Sequence, residues 1–218
     1  MVVLVLGLGA FGWVGYQLFG TNVVSQRAFS AEKNGLRAQW QRESTPPNAK
    51  ASAKSKAKSK ATASAKVATA PGAAIGLLRV PAFGAGYEVP ILNGTDLDTL
   101  SRGVGHYSAT ALPGQIGNFA VAGHRVTHGQ PFAKLLELDK GDEVVVETKT
   151  AIYTYVVDAA PRDLTVKASA SWVLDAVPGK PKEAPTQALL TLTTCQDLFH
   201  SPDRSVGFAH LASTKNKG

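Results

Sequence analysis

The sequence contains a single cysteine, Cys195, so no disulfide can form within the chain. It has no HExxH motif, no paired cysteine ligands and no compact ligand cluster. A zinc site assembled from His106, His124 and His128 therefore lacks its usual spacing, and neither a metal nor another cofactor is expected. No GxSxG elbow and no P-loop occurs, which removes the common serine-hydrolase and nucleotide-binding signatures. The glycine-rich stretch GLGAFG at 7–12 lies inside an apolar run with no βαβ unit around it, so it is not read as a dinucleotide loop. No internal repeat is visible.

Acidic residues are missing from one stretch, and that explains the net charge of +7. Residues 50–74 carry six lysines and no acid, whereas residues 75–212 carry eleven basic and fourteen acidic groups. The basic character thus belongs to a linker and the chain ends. A mildly acidic folded part without finger-type Cys/His spacing argues against nucleic-acid binding.

Residues 1–20 contain no charged side chain, and the first charge is Arg27. A run of this length suits a helix that crosses the hydrocarbon layer. The expectation is a transmembrane anchor over 1–22, with a cleaved signal peptide as the alternative. A juxtamembrane segment is expected over 23–43, where Phe29, Leu36 and Trp40 recur at roughly helical intervals among charged residues. It would rest on the membrane surface or continue the helix. Residues 44–74 are rich in Ala, Ser and Lys, bounded by Pro46-Pro47 and Pro71-Gly72, and read as a flexible tether. Residues 75–212 hold enough chain for one real core, and 213–218 form a tail. Within 75–212, short apolar runs broken by Gly, Pro, Asn and Asp predict strands at 75–80, 89–92, 118–122, 143–148, 152–157, 188–194 and 206–211. A short helix is predicted over 95–100 with Thr95 as its cap. The pattern points to an all-β sandwich or barrel.

Cys195 ends a strongly strand-like run, LLTLTT, where a side chain can reach a cleft. A nucleophilic thiol needs its proton removed and a cation nearby. A hairpin through 196–204 would bring Arg204 back beside Cys195, and a guanidinium suits a developing oxyanion. A buried core cysteine and a surface arginine paired with Asp203 or Asp197 are the plain alternatives. His124 is the best base, because it follows an apolar strand and Gly123 at another strand end. His128, four residues on, is expected to face elsewhere. His106, His200 and His210 read as structural.

The combination AVAGHR at 120–125, GDEV at 141–144, LTLTTC at 190–195 and Arg204 resembles the sortase family. HYSATALPGQIGNFAVAGHR at 106–125, with the TLTTC run, looks most like its class E. The resemblance implies an eight-stranded sortase-type β-barrel with short helices, held by the N-terminal anchor on the outer face of the cell membrane. It implies a cysteine transpeptidase that cuts a C-terminal sorting signal of LAxTG type between Thr and Gly on secreted proteins. The acceptor would be an amine of a peptidoglycan precursor, lipid II. Cys195 would be the nucleophile, His124 the acid and base, and Arg204 the substrate clamp and oxyanion donor. Tyr107, Thr193 and Thr194 would contact substrate. The residues after the cysteine, QDLFHSPDR, depart from the family pattern, where a proline comes sooner. A cysteine peptidase that only hydrolyses and a non-enzymatic, wall-binding β domain stand as alternatives.

Overall fold

Short runs of valine, isoleucine, leucine and tyrosine, each stopped by glycine, proline or a polar turn, become nine strands in the computed structural model. The model describes residues 16, 20–44, 70–195 and 203–217, with the backbone alone at Cys195. The strands are β1 (Ala74–Arg79), β2 (Val89–Asn93), β3 (Val104–His106), β4 (Gly117–Gly123), β5 (Glu143–Glu147), β6 (Ala151–Ala159), β7 (Thr165–Lys167), β8 (Ala188–Cys195) and β9 (Asp203–Asn216). Two α-helices are described, α1 (Thr21–Ser44) and α2 (Leu97–Arg102).

Eight strands close on themselves in the order β6-β5-β1-β2-β3-β4-β8-β9, with β9 returning to pair with β6. Closure leaves no free edge along that ring. The ninth strand, β7, flanks the start of β9, where Val166 pairs with Arg204. Two neighbours are parallel: β2 with β3, and β4 with β8. Strands in a parallel pair covered on both faces read as nearly continuous apolar runs. That is the pattern of Gly117–Gly123, which is buried at all but one position. Strand β5 instead alternates, burying Val144 and Val146 while Glu143 faces out. Phe119, Phe132, Tyr155, Leu78, Ile91, Leu135 and Leu190 are all fully buried and form the centre of the core.

The expected eight-stranded barrel with short helices is thus present, and the rest of the expected architecture needs correction. Among the described residues no helix is long and apolar enough to cross a membrane. The transmembrane helix expected over 1–22, and the single-pass placement in the cell membrane drawn from it, are therefore withdrawn. Residues 1–15 and 17–19 of that expectation lie outside the described residues, as does most of the tether at 45–69. Helix α1, which includes only residues 21 and 22 of that stretch, is itself far from apolar: it carries Arg27, Glu32, Lys33, Arg37, Arg42 and Glu43. A charged side chain at the centre of a spanning helix costs about 2.5–3.5 kcal/mol.

Helix α1 packs on the barrel. Ser25, Phe29 and Leu36 are its buried face. Burying side chains of the size of Phe29 and Leu36 contributes about 1.5–3 kcal/mol each. Ion pairs fix the rest: Arg37 reaches Glu88 at 2.6 Å, Glu32 holds Arg102 at 2.6 Å, and Glu43 meets Lys149 at 2.5 Å. Lys217 lies 4.5 Å above the ring of Trp40. A smaller correction concerns α2. Its cap is Asp96 and not Thr95, because the Asp96 carboxylate accepts from the Thr99 N–H at 3.0 Å.

Candidate active site

Strand register decides where the chemistry-bearing residues meet. On the parallel pair β4–β8, Gly123 stands opposite Thr194. His124 and Cys195 are the next residues along each strand, so both leave the barrel at the same end. On the antiparallel pair β8–β9, Cys195 stands opposite Arg204. Neighbouring strands lie about 4.8 Å apart, so the three backbones fall within about 10 Å of one another. The hairpin expected to return Arg204 to Cys195 is present in the backbone. The Arg204 Nη1 donates to the carbonyl of Asp203 at 3.1 Å. The Asp203 carboxylate pairs with Lys167 at 2.7 Å.

The threonines of β8 lock that register. Thr193 Oγ1 donates to the carbonyl of Val121 at 3.2 Å, and Thr194 Oγ1 donates to that of Gly123 at 2.8 Å. Both residues are buried. A buried hydroxyl must find a partner, and these find theirs on the adjacent strand. Each keeps its oxygen free to accept. The Tyr107 hydroxyl lies 3.4 Å from Thr193 Oγ1. Since the Thr193 proton is already committed to Val121, Tyr107 is the donor in that contact. Tyr107 itself begins a tight turn: its carbonyl accepts from the N–H of Thr110 at 2.8 Å and from the Thr110 hydroxyl at 2.7 Å.

His124 sits in an unusual setting. Its ring stacks on that of His128, with centroids 4.7 Å apart and planes 27° from parallel. Its Nε2 is buried and, among the described residues, has no hydrogen-bond partner. Burial first, and the neighbouring His128 second, lower its pKa to about 4. Burial also lowers that of His128. The imidazole of His124 is therefore neutral near pH 7, with one nitrogen able to take a proton and, among the described residues, no group bonded to Nε2.

This has a consequence for stability. The ordinary histidine value is 6.5 and the folded value about 4, so between those pH values the unfolded chain takes up a proton that the folded chain refuses. Stability from this group is full above pH 6.5 and is lost as pH falls toward 4. At 1.36 kcal/mol per pH unit the loss amounts to at most about 3 kcal/mol. Urea unfolding of the wild type at pH 7 and pH 4 is expected to differ by more than that of a His124→Asn variant. Equal differences would show that His124 is not held neutral.

One expectation about the histidines changes here, and another histidine gains a supporting role. His128 does not face elsewhere. It has φ 53°, Gly129 has φ 80° and Gln130 has φ 51°, and this left-handed turn folds the chain back so that the His128 ring meets His124. His106 is structural, as read, but it supports a candidate contact residue. It is buried between β2 and the turn after β3. Its Nδ1 lies 3.2 Å from Asn93 Oδ1, and its Nε2 lies 3.0 Å from the Ala111 carbonyl and 3.1 Å from Thr110 Oγ1. It thereby fixes the turn that carries Tyr107. The sequence signal was its position, a histidine directly before Tyr107 in a glycine-rich segment.

A cysteine, a histidine and an arginine at adjacent strand ends are groups that can together carry acyl transfer through a thiol. Comparison with known proteins gives the family. The Sortase domain model matches residues 78–212. Sortase SrtE1 of Streptomyces coelicolor is 32% identical over 210 residues, covering 93% of this chain and 53% of the relative. The chain thus spans about half the length of that curated protein. Sortase E from Streptomyces avermitilis has a solved structure that is 39% identical, with a TM-score of 0.60, covering 67% of this chain and 93% of that one. A structure of sortase E1 from Streptomyces coelicolor with a tripeptide in the active site is 33% identical, with a TM-score of 0.59 and the same two coverages. The chain belongs to the sortase family, and its likeness extends to the class E members from Streptomyces.

Proposed function

We propose that this chain is a cysteine transpeptidase that cleaves a C-terminal sorting signal of LAxTG type between Thr and Gly. It then joins the new carboxyl end to an amine of a peptidoglycan precursor. The observation that supports this reading is the register that pairs Gly123 with Thr194, the residues directly before His124 and Cys195, and Cys195 with Arg204. The tripeptide held in the active site of the Streptomyces coelicolor relative supports a peptide substrate for this chain.

The chemistry follows from what each group can do. The Cys195 thiol gives its proton to the unpartnered Nε2 of His124 and adds to the Thr carbonyl carbon. The carbonyl oxygen becomes an oxyanion, which the Arg204 guanidinium faces with donors in a fixed fork. Collapse of this intermediate breaks the C–N bond. The leaving Gly nitrogen takes the proton from the His124 imidazolium, and a thioester to Cys195 remains. The acceptor amine then attacks the thioester, His124 removes its proton, and the thiolate departs. A base whose pKa lies near 4 returns its proton readily, which favours the leaving-group step. It also keeps the thiolate–imidazolium pair a minor resting form. Tyr107 contacts the signal peptide where it lies near β8. Thr193 and Thr194 line the site beside Cys195.

Two measurements test this. Incubation with an LAxTG peptide and an excess of a primary amine is expected to give the amine-ligated product. Hydrolysed product alone under saturating amine would favour the purely hydrolytic alternative. Arg204→Ala is expected to lower kcat/KM by about 10²–10³-fold, the usual loss for an oxyanion donor. Arg204→Lys recovers the charge but not the planar fork, so it is expected to regain only part of that loss. Full activity in Arg204→Lys would show that charge alone suffices.

A further inference from the structure

The loop that follows His124 is built in a conformation it cannot hold cheaply on its own. The Phe132 N–H donates to the His124 carbonyl at 2.9 Å and closes the loop. Inside it, His128, Gly129 and Gln130 are all left-handed. For the two residues that carry a Cβ, this brings the Cβ too close to the following carbonyl oxygen and is strained. The bonds within the loop are few: the Gln130 N–H donates to the Thr127 carbonyl at 3.1 Å, and the His128 Nδ1 lies 2.9 Å from Thr127 Oγ1.

The remaining support comes from α1, more than a hundred positions earlier in the chain. Both polar backbone groups of Gly129 end on α1 side chains. Its N–H donates to Asn22 Oδ1 at 2.8 Å, and its carbonyl accepts from Gln26 Nε2 at 2.7 Å. The His128 N–H reaches Thr21 Oγ1 at 3.4 Å. The Phe29 ring covers Gly129 so closely that a Cβ added there would lie 2.6 Å from it. At the far end of the loop, the Tyr87 hydroxyl donates to the Pro131 carbonyl at 2.5 Å. The left-handed turn in turn sets the His128 ring on the His124 ring. Helix α1 lies outside the stretch matched by the family model, which begins at residue 78.

We propose that Asn22 and Gln26 are positioning residues for the His124 imidazole. By gripping both backbone groups of Gly129, they hold the left-handed turn that stacks His128 on His124. The stack fills the space beside the ring and keeps water from the buried Nε2. Without it the ring gains freedom to turn and hydrate. The inference rests on His124 as the acid and base of the reaction. Near His124 the hydrogen bonds of α1 go to this loop, so its loss is expected to act on the chemical step more than on peptide binding.

The test uses the full chain carrying Asn22→Ala and Gln26→Ala together. Three quantities are read: the NMR titration of the His124 ring, kcat and KM with an LAxTG peptide, and the thermal midpoint. The His124 midpoint is expected to rise from about 4 toward 6.5 as the ring hydrates. The neighbouring titratable group, His128 on its own loop, is unchanged in these variants. A displacement on this scale is expected to lower kcat about tenfold or more, with KM within about twofold. Asn22→Asp, which keeps an acceptor for the Gly129 N–H, is expected to stay within about threefold of wild type. An unmoved His124 titration overturns the proposal, whether activity is kept or falls only in step with the thermal midpoint. If the double variant does not fold, Gln26→Ala alone, at an exposed position of α1, carries the same comparison. The ring titration also separates this proposal from the mechanism beneath it. A fully active His124→Ala would sink the acid–base role, whereas the titration reports the hold of α1 on the ring whatever that role is.

Discussion

Cys195→Ala is expected to abolish both cleavage of an LAxTG peptide and transfer to an amine. Replacing the nucleophile of a covalent mechanism typically removes on the order of 10⁴-fold or more of the rate. What is left comes from binding and oxyanion donors alone. The barrel itself is expected to survive, because β8 is held by its pairing with β4 and β9 along its whole length. The thermal midpoint should therefore change little while turnover disappears, and initial rates beside a melting curve check both. Cys195→Ser is a stricter version of the same test. A hydroxyl is far less acidic than a thiol, and a neutral imidazole of low basicity cannot activate it well, so the serine variant should be nearly as inactive. A serine variant with substantial activity would mean that proton removal is easier here than the setting of His124 implies.

His124→Ala is expected to cost about 10²–10⁴-fold in kcat, the usual contribution of a positioned general acid and base. The loss should fall on the leaving-group step, since the amide nitrogen must be protonated before the C–N bond can break. A substrate whose leaving group needs no proton, such as an activated ester of the same peptide, should suffer much less. Comparing kcat for the amide and the ester in wild type and variant checks this. Equal losses on both would assign His124 to thiol activation alone. His128 is the natural candidate to replace a missing imidazole, as its ring is already 4.7 Å from that of His124. Removing both rings therefore tests whether residual activity belongs to it.

Most of the barrel could be read from sequence because its strands are local events. VVVE at 144–147 and LLTLTT at 189–194 declare themselves by β-branched content and by the turns that bound them. Strands β3 and β7 escaped because each has three residues. The first is embedded in a glycine-rich stretch, and the second is an edge strand whose exposed residues have no apolar alternation to detect. The closeness of Arg204 to Cys195 was legible because a hairpin joins neighbours in sequence. The placement of His124 needed the parallel pairing of β4 with β8, a contact between strands far apart in the chain that no local pattern announces. The turn at His128 was hidden for another reason. Gly129 is the one residue there that suits a left-handed backbone, while His128 and Gln130 adopt it on either side of a glycine that α1 holds. The helix of α1 was itself visible in the spacing of Phe29, Leu36 and Trp40. Its destination was not, since an amphipathic face does not reveal whether barrel or lipid will cover it.

The most direct test of the mechanism is the intact mass of the enzyme after brief mixing with a sorting-signal peptide. The account predicts a species heavier by the acyl part of the peptide ending in Thr. Peptide mapping should place that mass on Cys195, and an added amine should discharge it with release of ligated product. It predicts no such species in Cys195→Ala, and slower formation in His124→Ala. Cleavage of the peptide by wild-type enzyme with no adduct on Cys195 under any quench, or an adduct that forms equally in Cys195→Ala, would contradict it.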